Sequence, residues 1–286
     1  MAILTVSREY GSGGREIGRA VASGMGYEVV DKQSIIAEVR RLGHKWEQWT
    51  QEMDEHSPSV WEKYDWSFRG FTALMESLIW QFALRNNVVI IGRGANHILK
   101  GLPHALRIRI VAPLESRITR VMDRESVSRD TARWMIQKID QDRAGFVFTV
   151  FGKPWDDQAD YDYTLNTGFK SLDEITQAVM ELLQERDKLV DESVQRSLGL
   201  RAEAARIRAG LLTNPALFIP TLDVQFDGRQ IVLRGIIHNP KEHKRVEEAA
   251  RKLAGILRLC TIKGSGYYFI HIIHIVGVAS KINRAI

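Results

Sequence analysis

The stretch Ile3-Leu4-Thr5-Val6-Ser7-Arg8-Glu9-Tyr10-Gly11-Ser12-Gly13-Gly14-Arg15-Glu16-Ile17 decides the fold. Ile3, Leu4 and Val6 make a short apolar run that starts at once, which predicts a buried strand. Three glycines in four residues follow. Ile17, Ala20, Val21 and Met25 then recur at three- and four-residue spacing, the period of an amphipathic helix, and Gly24 and Gly26 mark its end. A strand, a glycine-rich turn and a helix start let backbone N–H groups converge without obstruction from side chains. The helix N-terminus adds positive potential, so the junction suits a phosphate.

Working outward, the same alternation repeats. A second strand, Tyr27-Glu28-Val29-Val30, stops at Asp31, and a third, Val88-Val89-Ile90-Ile91, stops at Gly92-Arg93-Gly94. A fourth runs over 106–111, and a fifth, Tyr163-Thr164-Leu165, stops at Asn166. Strands alternating with helices predict a parallel five-stranded sheet covered on both faces. In such sheets ligands bind beyond the carboxyl ends of the strands, which here carry the glycines, Asp31, Arg93 and Asn166.

The 286 residues are enough for about two domains. The 40 Lys and Arg against 35 Asp and Glu leave a net charge of +5, which suits phosphorylated small molecules, an acidic membrane surface or nucleic acid without choosing among them. One cysteine, Cys260, excludes an intrachain disulfide and a multi-cysteine metal site. With no secretory signal at Met1–Ser7, a cytoplasmic location is expected. The most apolar tract, residues 267–279, is too short to span a bilayer.

The loop departs from both common phosphate-binding patterns. A dinucleotide fingerprint needs a sixth-position glycine where Glu16 stands, although Asp31 could mimic its ribose-binding acid. A standard P-loop ends in Lys and Ser or Thr, where Gly14 and Arg15 stand. Arg15 could supply the missing charge but cannot ligate a metal.

The run 5–18 resembles the opening motif of the cytidylate kinase-like family. Ile139-Asp140-Gln141-Asp142-Arg143-Ala144-Gly145-Phe146, then Phe151-Gly152-Lys153-Pro154-Trp155 and Tyr161-Asp162-Tyr163-Thr164-Leu165-Asn166-Thr167, are also similar to it. The resemblance covers roughly residues 1–190 and implies a three-layer α/β P-loop kinase fold. It implies phosphoryl transfer from ATP, with Mg2+, to a nucleoside monophosphate, CMP or dCMP. By that resemblance Gly11, Ser12, Gly13, Gly14, Arg15 and Glu16 cradle the ATP phosphates. Asp31, Arg40, Arg41 and Arg93 face the acceptor, and Arg15, Arg93 and Arg143 serve catalysis. The family pattern has an acid after the arginine of the third strand's turn, and here Gly94 replaces it. Arg117 and Arg133 are expected on a solvated helix face with Glu115, Asp130, Asp140 and Asp142.

Residues 43–86 hold Trp46, Trp49, Trp61, Trp66 and Trp80, read as helix-packing aromatics. Residues 191–212 are charge-rich and expected to form a helical linker. Beyond them, Leu222, Val224 and Phe226 alternate with polar residues, and Asp227-Gly228 turns into a return strand. Asn239-Pro240 opens a helix lined by Val246, Ala249, Ala250, Leu253 and Leu257, and a strand follows Gly264-Ser265-Gly266. This small α+β module, residues 213–286, resembles a BON domain, which implies binding to an anionic membrane surface or a protein partner. Lys241, Lys244, Arg245, Arg251 and Lys252 would give its helix a basic face. No nucleic-acid partner is expected. The alternative function is a nucleotide-binding sensor that has lost catalysis and signals through this module.

Overall fold

β1 (Ile3–Arg8) is buried through Val6 on both faces, Ile3 and Thr5 on one and Leu4 and Val6 on the other. Its glycine turn leads directly into α1 (Gly14–Met25), whose buried stripe is Ile17, Val21 and Ala22. The computed structural model describes residues 1–41, 65–236, 240–254, 258–263 and 271–276. In it β1 lies at the centre of a parallel sheet with β2 (Glu28–Val30), β3 (Val88–Ile91), β4 (Ala105–Val111) and β5 (Tyr163–Asn166). The order is β2-β3-β1-β4-β5. Val6 pairs with Ile91 on one side and Ile108 on the other. The chain fills the β3 side of β1 first and the β4 side afterwards. The loops after β1 and its neighbours therefore diverge and open a crevice at their carboxyl ends.

Helices cover the sheet, giving the three-layer α/β arrangement of P-loop kinases. Ile17 and Val21 of α1 pack with Ile175, Val179 and Leu183 of α7 (Leu172–Asp187) over Leu4, Val6, Leu106, Ile108 and Ile110. Each of these fully buried aliphatic side chains contributes roughly 1.5–3 kcal/mol. Between them run α2 (Lys32–Arg40), the single turn α4 (Ala95–Ile98), α5 (Leu114–Glu125) and α6 (Arg129–Phe151). Ile118 and Val121 of α5 pack on Ala132 and Ile136 of α6. All five strands fall where the apolar runs place them.

The chain clusters into two compact units, and the second joins Tyr64–Leu84 to Gln195–Ile286. It contains α3 (Trp66–Leu84), most of α8 (Glu192–Leu212), β6 (Asp223–Phe226), β7 (Ile231–Arg234) and α9 (Pro240–Ala254). β8 (Arg258–Lys263) and β9 (His271–Val276) complete an antiparallel sheet of order β6-β7-β9-β8. The stretch expected as a charged connector is α8. It buries Leu200, Ala204, Ile207, Leu211 and Leu212 in one core with Leu222, Val224, Ile231, Leu233, Val246 and Ala250. Its charges are carried outside that core as pairs such as Arg206–Glu203 and Arg208–Glu76. β8, which holds Cys260, is an additional strand before the glycines. Trp80 is buried in α3, and Trp66 packs on Phe218 with ring centroids 4.9 Å apart. Trp46, Trp49, Trp61, Asn239, Leu257 and Gly264–Gly266 lie outside the described residues. Among the described residues no helix is long and apolar enough to cross a membrane.

Candidate active site

The turn from β1 into α1 is held by its carbonyls. Arg143 Nη1 donates to the Arg8 carbonyl at 2.8 Å, and Thr167 Oγ1 donates to the Ser12 carbonyl at 2.8 Å. Arg117 and Arg120 reach the Tyr10 and Gly11 carbonyls, each at 3.4 Å. Its carbonyls are drawn toward arginines and a threonine, so the chain's own side chains fix the loop. Gly13 sits at φ +83°, where a side chain would also strike Leu172, so glycine is required there. The first N–H groups of an α-helix lack acceptors inside it. Asp31, Ser128 and Ser171 cap α2, α6 and α7 with their side chains, whereas α1 begins at Gly13 with no side-chain cap. Such an end attracts an anion.

A charged layer joins this loop to α6. The Tyr10 N–H donates to Asp140 at 2.8 Å, and Asp140 also pairs with Arg117. Glu9 accepts from the Ala112 N–H at 3.2 Å and lies 3.5 Å from Arg117 Nε. Arg117, expected on a solvated face, is therefore largely buried against the loop because two carboxylates neutralise it there. Arg133 does stay on the surface, 3.6 Å from Glu115.

Beyond β3 the backbone turns left-handed at three consecutive residues, Gly92, Arg93 and Gly94, with φ +81°, +59° and +67°. This turn borders a cavity of about 260 Å³ lined by Arg8, Arg93, Arg143, Asp142, Phe146 and Trp155 among others. Trp155 is fixed by donation from its Nε1 to Ser7 Oγ at 3.1 Å and by the Arg109 guanidinium 4.3 Å from its ring centroid. A second, more open cavity of about 430 Å³ lies past β4 and β5, bordered by Glu9, Arg109, Pro113 and Asn166. Residues 8–10 of the loop border both cavities, Glu9 one and its two neighbours the other.

Of the residues singled out from sequence, Arg93 and Arg143 come together at the first cavity. Gly11, Ser12, Gly13, Gly14, Arg15 and Glu16 form the turn and the first helical residues. Arg15 is 54% exposed and, with Arg19, approaches Asp31 Oδ2 at 3.4 and 3.2 Å. Asp31 caps α2 by accepting from the Gln33 and Ser34 N–H groups. Burial opposes its charge, but these two donors and the two arginines outweigh that and hold its carboxyl below the usual range. Arg40 and Arg41 are exposed at the far end of α2, and neither borders either cavity. The sequence reading missed Arg8, although it is the last residue of β1 and so stands at the end of the sheet where ligands bind.

One more polar cluster supports the turn. Asp160 is fully buried with Lys100 Nζ at 2.6 Å, Lys153 Nζ at 2.9 Å and His97 Nδ1 at 3.5 Å. Burial opposes its charge, and the two ammonium groups and His97 outweigh it, so its carboxyl titrates below the usual range. Burial likewise pushes His97 below the usual imidazole value, against the pull of Asp160. His97 stacks on Phe151 with centroids 4.6 Å apart. Among the described residues, no group of three His, Cys, Asp or Glu is placed to hold a metal ion.

The sequence profile of the cytidylate kinase-like family matches residues 3–168. No curated protein matches the chain. Among solved structures, an uncharacterized protein from Eubacterium ventriosum is 23% identical, with a TM-score of 0.48 over 64% of this chain and 99% of its own. Shikimate kinase from Acinetobacter baumannii in complex with shikimate is 17% identical, with a TM-score of 0.35 over 65% and 94%. Shikimate kinase from Bacteroides thetaiotaomicron is also 17% identical, with a TM-score of 0.38 over 64% and 98%.

Proposed function

The chain belongs to the cytidylate kinase-like family, and from that premise we propose that it transfers the γ-phosphoryl group of ATP to a nucleoside monophosphate, CMP or dCMP. The phosphates of ATP would rest on the N–H groups from Gly11 to Glu16, with Arg15 beside them, and the acceptor phosphate between Arg93 and Arg143. One observation carries this reading. Three arginines, Arg8, Arg93 and Arg143, border one cavity, and Tyr10 of the glycine loop borders it with them. Asp142 also borders that cavity, but Lys138 Nζ lies 3.0 Å from it. Guanidinium groups are planar, permanently charged forks whose geometry suits a dianionic phosphate.

In the transfer, an acceptor phosphate oxygen bonds to the γ-phosphorus while that atom's bond to the β–γ bridging oxygen breaks. The electron pair leaves with ADP, and no proton has to move. The loop and arginines supply position and positive charge, which are most of what such a step requires. The donor set fits anionic phosphates better than a bare cation. Magnesium would enter bound to the ATP phosphates, neutralising their charge, with Asp142 the carboxylate nearest to hand in the cavity. Asp31, as cap of α2, would keep that helix at the edge of the acceptor side.

The test incubates the purified chain with ATP, magnesium and a panel of monophosphates, and follows ADP release. Turnover with CMP or dCMP is expected. Heat of ATP binding with silence across the panel would favour the sensor reading instead, and no ATP binding would overturn both.

We further propose that residues 213–286 form a BON-like module that directs a cytoplasmic enzyme to anionic membrane surfaces. Lys241, Lys244, Arg245, Arg251 and Lys252 are exposed on α9, although Glu247 and Glu248 partly neutralise Arg251 and Lys244. Sedimentation of the whole chain with anionic vesicles at low salt checks this, and no pelleting would leave a protein partner.

A further inference from the structure

A kinase loop without its lysine needs positive charge from elsewhere, and the space around Gly14 points to the source. A Cβ on Gly14 would lie 2.5 Å from Arg8 Cβ and 3.2 Å from Arg8 Cγ. The stem of Arg8 thus fills the place where a side chain at position 14 would begin. At its other end, Arg8 crosses to the turn after β3. A Cβ on Gly92 would overlap its guanidinium, 3.0 Å from Cζ. Gly14 and Gly92 are therefore both side-chain-free along the path of one arginine. The Arg8 carbonyl is anchored by Arg143, and its guanidinium borders the same cavity as Arg93. Arg15 instead lies half-exposed beside Asp31.

From this geometry we infer that Arg8 replaces the P-loop lysine: it spans from the phosphate loop to the acceptor turn and neutralises the transferring phosphoryl group. Gly14 is the complement of that replacement, since a lysine there and the Arg8 stem exclude each other. This inference rests on the kinase reading above and names a further catalytic residue within it.

The test compares the full chain with Arg8→Ala, Arg8→Lys, Arg15→Ala and a swap that combines Arg8→Gly with Gly14→Lys. Each is measured for ATP affinity by calorimetry with magnesium present, for turnover with CMP, and for its melting transition. Loss of one charge-stabilising donor lowers turnover by about 100-fold or more. That loss is expected for Arg8→Ala, with a smaller one, about tenfold, for Arg15→Ala. Arg8→Lys keeps the charge and should remain within about tenfold of the parent. The swap should recover at least about tenfold over Arg8→Ala, a rescue that a purely structural role of Arg8 would not produce. The inference is overturned if Arg8→Ala keeps parental ATP affinity and turnover, or if Arg15→Ala loses as much as it does. It is also overturned if a cooperatively melting swap recovers nothing. Should Arg8→Ala not fold, Arg8→Lys and the swap decide on the same terms. A parent that binds ATP but turns over no acceptor leaves the ranking of ATP affinities to decide. A parent that binds no ATP removes the kinase reading itself, and the inference with it.

Discussion

Gly94→Asp would restore the acid that the family pattern has after Arg93, and the fold opposes it in two separable ways. Position 94 has φ +67°, a left-handed conformation that costs a residue with a Cβ about 1 kcal/mol or slightly more. The new Cβ would also overlap the Phe151 ring, 2.5 Å from Cζ, and forced overpacking of this kind costs about 1–3 kcal/mol. Together these predict a loss of about 3 kcal/mol. Phe151→Ala alone removes a half-buried ring stacked on His97 at 4.6 Å and set edge-on to Phe146 at 6.3 Å. At roughly half the cost of a fully buried ring, that is about 2 kcal/mol. If the two changes were independent, the double variant would lose about 5 kcal/mol. Because Phe151→Ala removes the overlap, the double variant should lose about 3 kcal/mol, a coupling of about 2 kcal/mol. Urea unfolding followed by tryptophan fluorescence measures all three variants against the parent. Additivity within about 0.5 kcal/mol would refute the claim that Phe151 occupies the space of a side chain at 94.

Other outcomes follow from named contacts. Asp31→Ala removes the cap of α2 and should cost about 1 kcal/mol, lowering the melting midpoint by roughly 2–4 °C, while Asp31→Asn keeps most of the cap. Asp140→Ala releases the Tyr10 N–H and leaves Arg117 with one carboxylate, Glu9, and the Tyr10 carbonyl. Hydrogen exchange at the Tyr10 amide should then accelerate by at least about tenfold, and unchanged exchange would mean that Asp140 does not hold the loop. Burial lowers the folded-state values of His97 and His104 below their usual 6.5, so below that pH the unfolded chain binds more protons than the folded one. Stability should be full above pH 6.5 and fall as the pH drops through the folded values. Urea midpoints between pH 8 and pH 5 measure this, and His104→Gln should flatten the slope.

The parallel sheet was legible in the sequence because short segments rich in Val, Ile and Leu recur between helical stretches, and four of the five lead into a glycine or a polar residue. Arg93 and Arg143 were legible because they stand in motifs at strand ends or on the helix that returns over them. Arg8 was not, since its place at the end of β1 does not tell which way its side chain runs until Gly14 and Gly92 are seen to lie along it. Arg15 is next to the loop in sequence, but the turn of α1 carries it toward Asp31. The burial of α8 was hidden for another reason. Four of its nine buried residues are alanines, which add little to an apolar period, and four arginines and two glutamates interrupt that period. β8 spans six residues, Arg258–Lys263, and Leu257 in the sequence before it extends the helix's apolar spacing, so its alternation did not stand out.

The left-handed backbone at Arg93 sets thermostability and charge against each other. Arginine at φ +59° carries a strain of roughly 1–2 kcal/mol that glycine would not. Arg93→Gly would therefore relax the turn while deleting a guanidinium from the cavity. A laboratory evolution campaign that rewarded heat resistance alone would be drawn to that exchange, and survivors would be sturdier and chemically poorer. Screening for heat resistance and activity together would retain the arginine, leaving the flanking segments to absorb the improvement.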